Sequence, residues 1–332
     1  MAFMTSVYGL LVAPRRFLAA LLLVLALPAW AQAPARIAWI GPGSAAGRAT
    51  RLSAFKQGMR ENGLLDGKHY AVDERYAEGK YERLPALTDE LLKRNPAVIM
   101  VTTLASVRAA QQATQTVAIV FVNTNDPVGN GLIASFARPG GNTTGLTNQA
   151  EDTMAKYVQL LHEALPGAAR VAVLSNPGNA SNLKLFDQVR AAASAFGIGT
   201  QRFEAASPEG LETAFNAIAQ YRPDALLVIS DAMLIDQHAR ISASALQQRI
   251  PSIVPMAEFV ASGSLIAYAS SRLEAYRRAG VYVKRILGGA KAGELPEEQP
   301  TRFELSINLK TARAVGLTLP RTLLLRADEV IE

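Results

Sequence analysis

An α/β chain built as two doubly wound parallel-sheet lobes is the fold this sequence predicts, on three observations. From Arg36 onward one unit recurs: a short β-branched or apolar run, a loop of small residues, then a segment of helical period. Runs such as Val98-Ile99-Met100-Val101 are apolar on both faces, as strands of a parallel sheet covered on both sides must be. With 332 residues, 49% of them hydrophobic and only 19% charged, the chain has length for about two domains and too much apolar surface to stay disordered.

Element by element, the first lobe is expected to hold strands at Arg36–Ile40, Tyr70–Tyr76, Val98–Thr102 and Val117–Val122, with helices at Thr50–Glu61, Tyr81–Lys93 and Ala105–Ala113. The stretch Gly140-Gly141-Asn142-Thr143-Thr144-Gly145 is too rich in Gly and Asn for regular structure, so it reads as a break. Beyond it the alternation restarts: helix Asp152–Ala164, strand Arg170–Leu174, helix Asn182–Phe196, strand Thr200–Glu204, helix Pro208–Gln220, strand Ala225–Ile229 and helix Ile235–Gln248. A strand at Leu265–Ala269, a helix at Tyr276–Leu287 and a segment Phe303–Ile307 follow, which suits a chain that returns between lobes.

The N-terminus reads differently. Arg15-Arg16, the apolar run Phe17–Leu27, Pro28 and Ala29-Trp30-Ala31 have the three-part layout of a secretory signal, residues 1–31, with cleavage expected after Ala31. The apolar run is about half of the roughly 20 residues a spanning helix needs. Removing Arg15 and Arg16 with that segment lowers the formal charge from +6 to +4. Lysines and arginines are dispersed and no basic run interleaves with aromatics, so a solvated surface is expected rather than nucleic-acid binding. No cysteine is present, which excludes a disulfide scaffold, a thiolate metal site and a cysteine nucleophile. The mature protein is therefore expected to be soluble, monomeric and periplasmic.

Chemical motifs are sparse. The loop Gly41–Gly47 sits where a dinucleotide fingerprint would lie, but its third glycine comes one residue late, so it reads as a tight turn that presents Ser44. His69, His162 and His238 lie far apart without metal-pair spacing. Neither a G-x-S-x-G elbow nor a P-loop occurs, so no cofactor, metal or catalytic residue is expected. Ligands of open parallel sheets bind at the carboxyl ends of strands. Here those ends are the loops Gly41–Gly47, Thr102–Leu104, Asn123–Asp126, Ser175–Asn179, Ser230–Ala232 and Pro255–Glu258. Asp126, Asp231 and Glu258 lie on them, and each either caps a helix or surface turn or receives a ligand ammonium.

The run from Asp126-Pro127-Val128-Gly129-Asn130-Gly131 through Arg138-Pro139-Gly140-Gly141-Asn142-Thr143-Thr144-Gly145 resembles the signature of one family of ABC-transporter substrate-binding proteins. Tyr276-Arg277-Arg278-Ala279-Gly280, the stretch from Leu295-Pro296-Glu297-Glu298 to Thr311-Ala312, and the ending Arg326-Ala327-Asp328-Glu329-Val330-Ile331-Glu332 are similar to that family too. A departure falls at Ser262–Ala269, where the family more often has paired glycines before the strand and a glycine after its tyrosine.

The resemblance implies the type I periplasmic-binding fold, two lobes joined by three crossings that close on a small ligand, with an inner-membrane permease and an ATPase as partners. Characterised relatives bind aromatic amino acids, tryptophan among them. Lobe 1 is then expected at 34–147 plus 264–301 and lobe 2 at 148–263 plus 302–332. Expected ligand contacts are Ser44, Thr102, Thr103, Asn125 and Asp126 from the first lobe. Asn148, Asn176, Ser230, Asp231 and Glu258 come from the second, with Tyr268 near the hinge. A bound amino acid should place its carboxylate on Ser or Thr hydroxyls and helix amides, and its ammonium on Asp231, Asp126 or Glu258. Two other readings share this sequence: a ligand-sensing accessory without a transporter, and a periplasmic α/β enzyme.

Overall fold

The computed structural model describes residues 33–45 and 48–332. The expected signal segment, and Ala46 and Gly47 of the first strand-end loop, lie outside them. Twelve strands are described: β1 Ala35–Gly41, β2 Tyr70–Tyr76, β3 Val98–Val101, β4 Ala118–Thr124, β5 Thr143–Thr147, β6 Arg170–Ser175, β7 Gly199–Glu204, β8 Ala225–Val228, β9 Ser252–Val254, β10 Ile266–Ser270, β11 Phe303–Asn308 and β12 Glu329–Ile331. They form a five-stranded sheet ordered β2-β1-β3-β4-β5 and a seven-stranded sheet ordered β12-β11-β10-β9-β8-β6-β7. The first sheet is parallel throughout. In the second only the β10–β11 pair is antiparallel. The run β7-β6-β8-β9-β10 therefore repeats the strand order of the first sheet. The sequence's repeated unit is thus one doubly wound topology made twice.

Each sheet is covered on both faces. Along β1, Ile37 and Trp39 enter one core with Phe55, Tyr276 and Tyr282, while Ala38 and Ile40 enter the opposite one with Leu84, Leu104 and Phe121. The second sheet is treated alike, Val171 and Val173 lying on one side and Ala172 and Leu174 on the other. Continuous apolar strands follow from this double burial, as expected for parallel sheets.

Local corrections have local causes. The expected break at 140–145 is half a strand: Thr143–Thr147 pairs with β4, and Gly145 is needed because an added Cβ would lie 2.1 Å from the Phe121 carbonyl oxygen. The helix expected at Ile235–Gln248 starts earlier, at Ala232 behind Asp231, and divides into Ala232–Asp236 and His238–Gln247. The one expected at Tyr81–Lys93 opens as a 3₁₀ turn, Tyr81–Arg83, and becomes α-helical from Leu84, where Pro85 fits the first turn.

The largest difference concerns the return crossing. Residues 264–270 are expected from sequence in the first lobe, yet β10 lies inside the second sheet, between β9 and β11. The chain leaves that sheet only after Ser270. The helix that follows, Arg272–Leu287, begins at its Ser271 N-cap rather than at Tyr276, and packs on the first lobe. There Tyr276 stacks on Trp39 at 5.3 Å, with Phe55 edge-on to Trp39 at 5.7 Å. Conversely, the helix after β5, Ala150–Ala164, sends Met154, Tyr157, Val158 and Leu161 into the core of the second lobe. Each sheet thus passes the helix after its last parallel strand to the other lobe.

The helix Arg272–Leu287 meets the helix Arg48–Glu61 backbone to backbone. A Cβ on Gly58 would lie 1.8 Å from the Arg277 carbonyl oxygen, and one on Gly280 would lie 2.7 Å from the Gly58 carbonyl carbon. Gly58→Ala should therefore force the helices apart and cost about 3 kcal/mol or more, outweighing the roughly 1 kcal/mol helix-propensity gain of alanine. Denaturant unfolding measures it; an unchanged midpoint would refute the close approach.

A third crossing, between Glu298 and Phe303, runs beside the first: Thr147 N–H donates to the Glu298 carbonyl at 3.0 Å, and Glu298 N–H to that of Gly145 at 3.0 Å. Here Glu297, 7% exposed, accepts from Thr147 N–H at 2.9 Å. Burial pushes its carboxyl up to about 7 from 4.5, against the lowering effect of the Thr147 bonds. A raised carboxyl costs nothing while protonated in both folded and unfolded chains. Its cost grows as pH rises from 4.5 through 7 and is complete above. Glu297→Gln should match wild type near pH 4.5 and exceed it by up to about 3 kcal/mol above pH 8. Thermal unfolding across that range checks it, and parallel curves for the two proteins would contradict it.

Candidate functional site

Between the lobes lies a cleft with about 790 Å³ of space unoccupied by protein atoms, part of it open to solvent. Its walls are strand ends and crossings. The first lobe supplies Thr102, Thr103, Leu104, Asn123 and Asn125, and the second supplies Asn179, Ser230, Asp231, Ala232, Ile235, Pro255 and Met256. The crossings supply Asn148, Ala150, Thr153, Met154, Tyr157, Tyr268, Ala269, Ser270, Arg272 and Phe303. Tyr268 and Phe303, from the paired strands β10 and β11, stack at 5.4 Å with 16° between ring planes. Buried Tyr157 adds a third ring; burial raises its hydroxyl's ionisation far above the ordinary range, so it remains a neutral donor.

Of the residues expected from sequence, Thr102, Thr103, Asn125, Asn148, Ser230, Asp231 and Tyr268 line this cleft. Thr103 also caps the helix Leu104–Ala113 in a reciprocal capping box with Ser106. Asn148 bridges backbone at the first crossing, donating to the Asn123 carbonyl at 3.1 Å and accepting from Ala150 N–H at 3.1 Å.

The other four expected residues lie outside the lining. Ser44 donates from N–H and hydroxyl to Asp236 Oδ2, at 2.6 and 3.1 Å. Asp126 pairs with Lys184 and accepts from Gly129 N–H at 2.8 Å, which together hold its carboxyl below the usual range despite partial burial. Asn176 is fully buried behind Asp231. Glu258 lies on two neighbouring hollows.

Asp231 itself is saturated. Its Oδ1 accepts from Met233 N–H, Leu234 N–H and Asn176 Nδ2 at 2.9, 3.2 and 3.0 Å. Its Oδ2 accepts from the Tyr81 hydroxyl at 2.6 Å and Asn179 Nδ2 at 3.1 Å. An ionised carboxylate offers about four lone-pair sites, so the capping role leaves little room for an ammonium. Tyr81 comes from the first lobe, so this bond spans the cleft mouth, as do Ser44 and Arg51 on Asp236 and Lys184 on Asp126. Burial, then the Asp231 charge, raises the Tyr81 hydroxyl well above its ordinary value and keeps it a donor.

Sequence reasoning missed Asn123, Tyr81, Phe303 and Arg272. Asn123 stood in a named strand-end loop; it takes a left-handed φ of 58°, and its Nδ2 is buried without a hydrogen-bond partner. Arg272 was announced by Ser271-x-x-Glu274, a capping-box spacing that starts its helix four residues before the expected Tyr276.

A family model described as "ABC transporter substrate binding protein" matches residues 37–331. A curated relative from Clostridioides difficile (strain R20291), the "Tyrosine-binding protein", is 22% identical over 79% of this chain and 75% of its own. Among solved structures, a "conserved domain protein" of Vibrio cholerae is 25% identical with a TM-score of 0.82, covering 89% of this chain and 99% of the other. The ABC domain from Streptococcus pneumoniae in complex with L-Trp is 20% identical with a TM-score of 0.79, over 89% and 100%.

Since Asp231 serves the fold, Asp231→Ala should cost ligand-free protein about 2–4 kcal/mol, a lost cap plus orphaned Asn176, Asn179 and Tyr81. Denaturant unfolding without ligand tests this. Intact stability with collapsed ligand affinity would make Asp231 a ligand contact instead.

Proposed function

Because the chain belongs to the family of ABC transporter substrate-binding proteins, we propose that it is the periplasmic solute-binding component of an ABC importer and captures an amino acid with an aromatic side chain. The carrying observation is a cleft walled by both lobes and floored by all three crossings, with a stacked aromatic pair beside Thr, Asn and Ser groups. A solute there touches both lobes only when they are together, so its binding energy favours closure, and a permease would read the closed shape. The relative named for tyrosine and the structure holding L-Trp support the choice of solute class. The layout of residues 1–31 supports export to the periplasm, and a permease and ATPase are the partners this role needs. Among the described residues no helix is long and apolar enough to cross a membrane.

Titration of the mature protein with L-tyrosine and L-tryptophan should raise its melting temperature by on the order of 5 °C at a hundredfold excess over Kd. Small-angle scattering should show compaction over the same range. An unchanged melting curve and an unchanged radius across aromatic and branched amino acids would end this reading.

A further inference from the structure

Among the described residues the cleft lining holds one cation, and no carboxylate pairs with it directly. Arg272 lines the cleft at the start of the helix Arg272–Leu287. Its guanidinium meets only weak acceptors, Met256 Sδ at 3.7 Å from Nη1 and the Tyr276 hydroxyl at 3.5 Å from Nη2, with its carbon 5.7 Å from the Tyr276 ring centre. Among the described residues no carboxylate lies within ion-pair distance of it. A guanidinium has five donors in a planar fork shaped for a carboxylate, and a cation in the first turn of a helix opposes the helix dipole. Such a group is costly to hold part-buried unless an anion completes it.

Of the acids nearby, Asp231 is engaged by five donors and Asp236 by Ser44 and Arg51; Glu258, which shares two neighbouring hollows with Arg272, acts on it with Asp236 through space without forming an ion pair. Asn123 Nδ2, also on the cleft wall, is a second donor without an acceptor. The unfulfilled hydrogen-bonding capacity of the cleft is therefore for an anion, beside the flat apolar surface of Tyr268 and Phe303.

We propose that Arg272 is the carboxylate anchor of the cleft, and that the ligand class is an organic acid with a planar apolar body, in which an α-ammonium is dispensable. This rests on the solute-binding reading and reverses the charge expected from sequence, where acids held an ammonium. No bond is made or broken; the ligand is retained unchanged.

The test compares three sets of probes by calorimetry on the mature protein: L-tyrosine and L-tryptophan, their desamino acids 3-(4-hydroxyphenyl)propionate and indole-3-propionate, and the amines tyramine and tryptamine. The acids should bind within about tenfold of the amino acids, and the amines at least about 100-fold more weakly. Arg272→Ala should abolish the preference for acids over amines, and Arg272→Lys should restore it in part, since lysine keeps the charge and loses the fork. Circular dichroism and melting curves confirm that both variants fold; if Arg272→Ala does not, Arg272→Lys and the wild-type probe series carry the test. Amines binding as well as acids, or Arg272→Ala binding acids as wild type does, overturns the anchor and leaves solute binding standing. Failure of every probe to bind wild type overturns both.

Discussion

The reciprocal exchange of helices after β5 and β10 is the constraint on which the rest of the structure depends. A parallel strand needs a covering helix on return, and each sheet here obtains that cover from the chain leaving the other. The helix Ala150–Ala164 completes a core of the second lobe, and Arg272–Leu287 completes one of the first. Neither lobe's core closes without a segment that has crossed. Both crossings start at the carboxyl ends of edge-ward parallel strands, where an open α/β sheet places its ligand. So Asn148 and Ala150 on one crossing, and Ser270 and Arg272 on another, become the floor of the cleft. In the proposed function the residues that would hinge are also those of the cleft floor, so a solute lying on them would sense the angle between the lobes directly.

This geometry also fixes the charge of the cleft. The helix Ala232–Asp236 has only five residues, and both its acidic ends are bound: Asp231 at its N-cap by amides of its own lobe and by Tyr81, and Asp236 by Ser44 and Arg51. Carboxylates that hold the mouth together cannot also be the cleft's receptors. Arg272 stands in the opposite condition, carried to the cleft floor by the crossing after β10 and, among the described residues, paired directly with no acid there.

Much of the fold was legible because double burial writes itself into composition. Strands such as Arg170-Val171-Ala172-Val173-Leu174 have no other reading once flanked by helical periods. What escaped was decided by contacts distant in sequence. Gly145 breaks a strand pattern locally but permits an approach to Phe121 that only the paired sheet reveals. β10 reads as a strand in either lobe, and its position follows from pairing with β9 and β11, 13 and 37 residues away in the registers Ala267↔Val254 and Tyr268↔Leu305. Within the site, strand-end residues such as Thr102, Asn125 and Ser230 could be named because topology puts them at the sheet's carboxyl edge. Whether an aspartate there caps or receives depends on who reaches it from the other lobe, and Tyr81 lies 150 residues from Asp231.

Closure energetics then set what the solute must do. The Lys184–Asp126 pair has side chains 51% and 23% exposed, and such pairs contribute about 0–1 kcal/mol. Arg51 and Asp236 are 9% and 6% exposed, but two charges withdrawn from water recover on pairing little more than they lost. The bond from Tyr81 to Asp231 adds a charge-assisted interaction of about 1.5–3 kcal/mol, part of which water replaces on opening. These contacts between the lobes thus total only a few kcal/mol, so in the proposed function the equilibrium between open and closed forms is left to the solute. Carrying such an equilibrium from 1:99 to 99:1 needs about 5.5 kcal/mol of preference for the closed form. Stacking on Tyr268 and Phe303 supplies about 1 kcal/mol per ring contact beyond area burial. Two charge-assisted bonds to a guanidinium add about 3–6 kcal/mol when they form only in the closed, drier cleft. An uncharged solute lacks the larger of these contributions, so it could occupy the cleft without holding it shut.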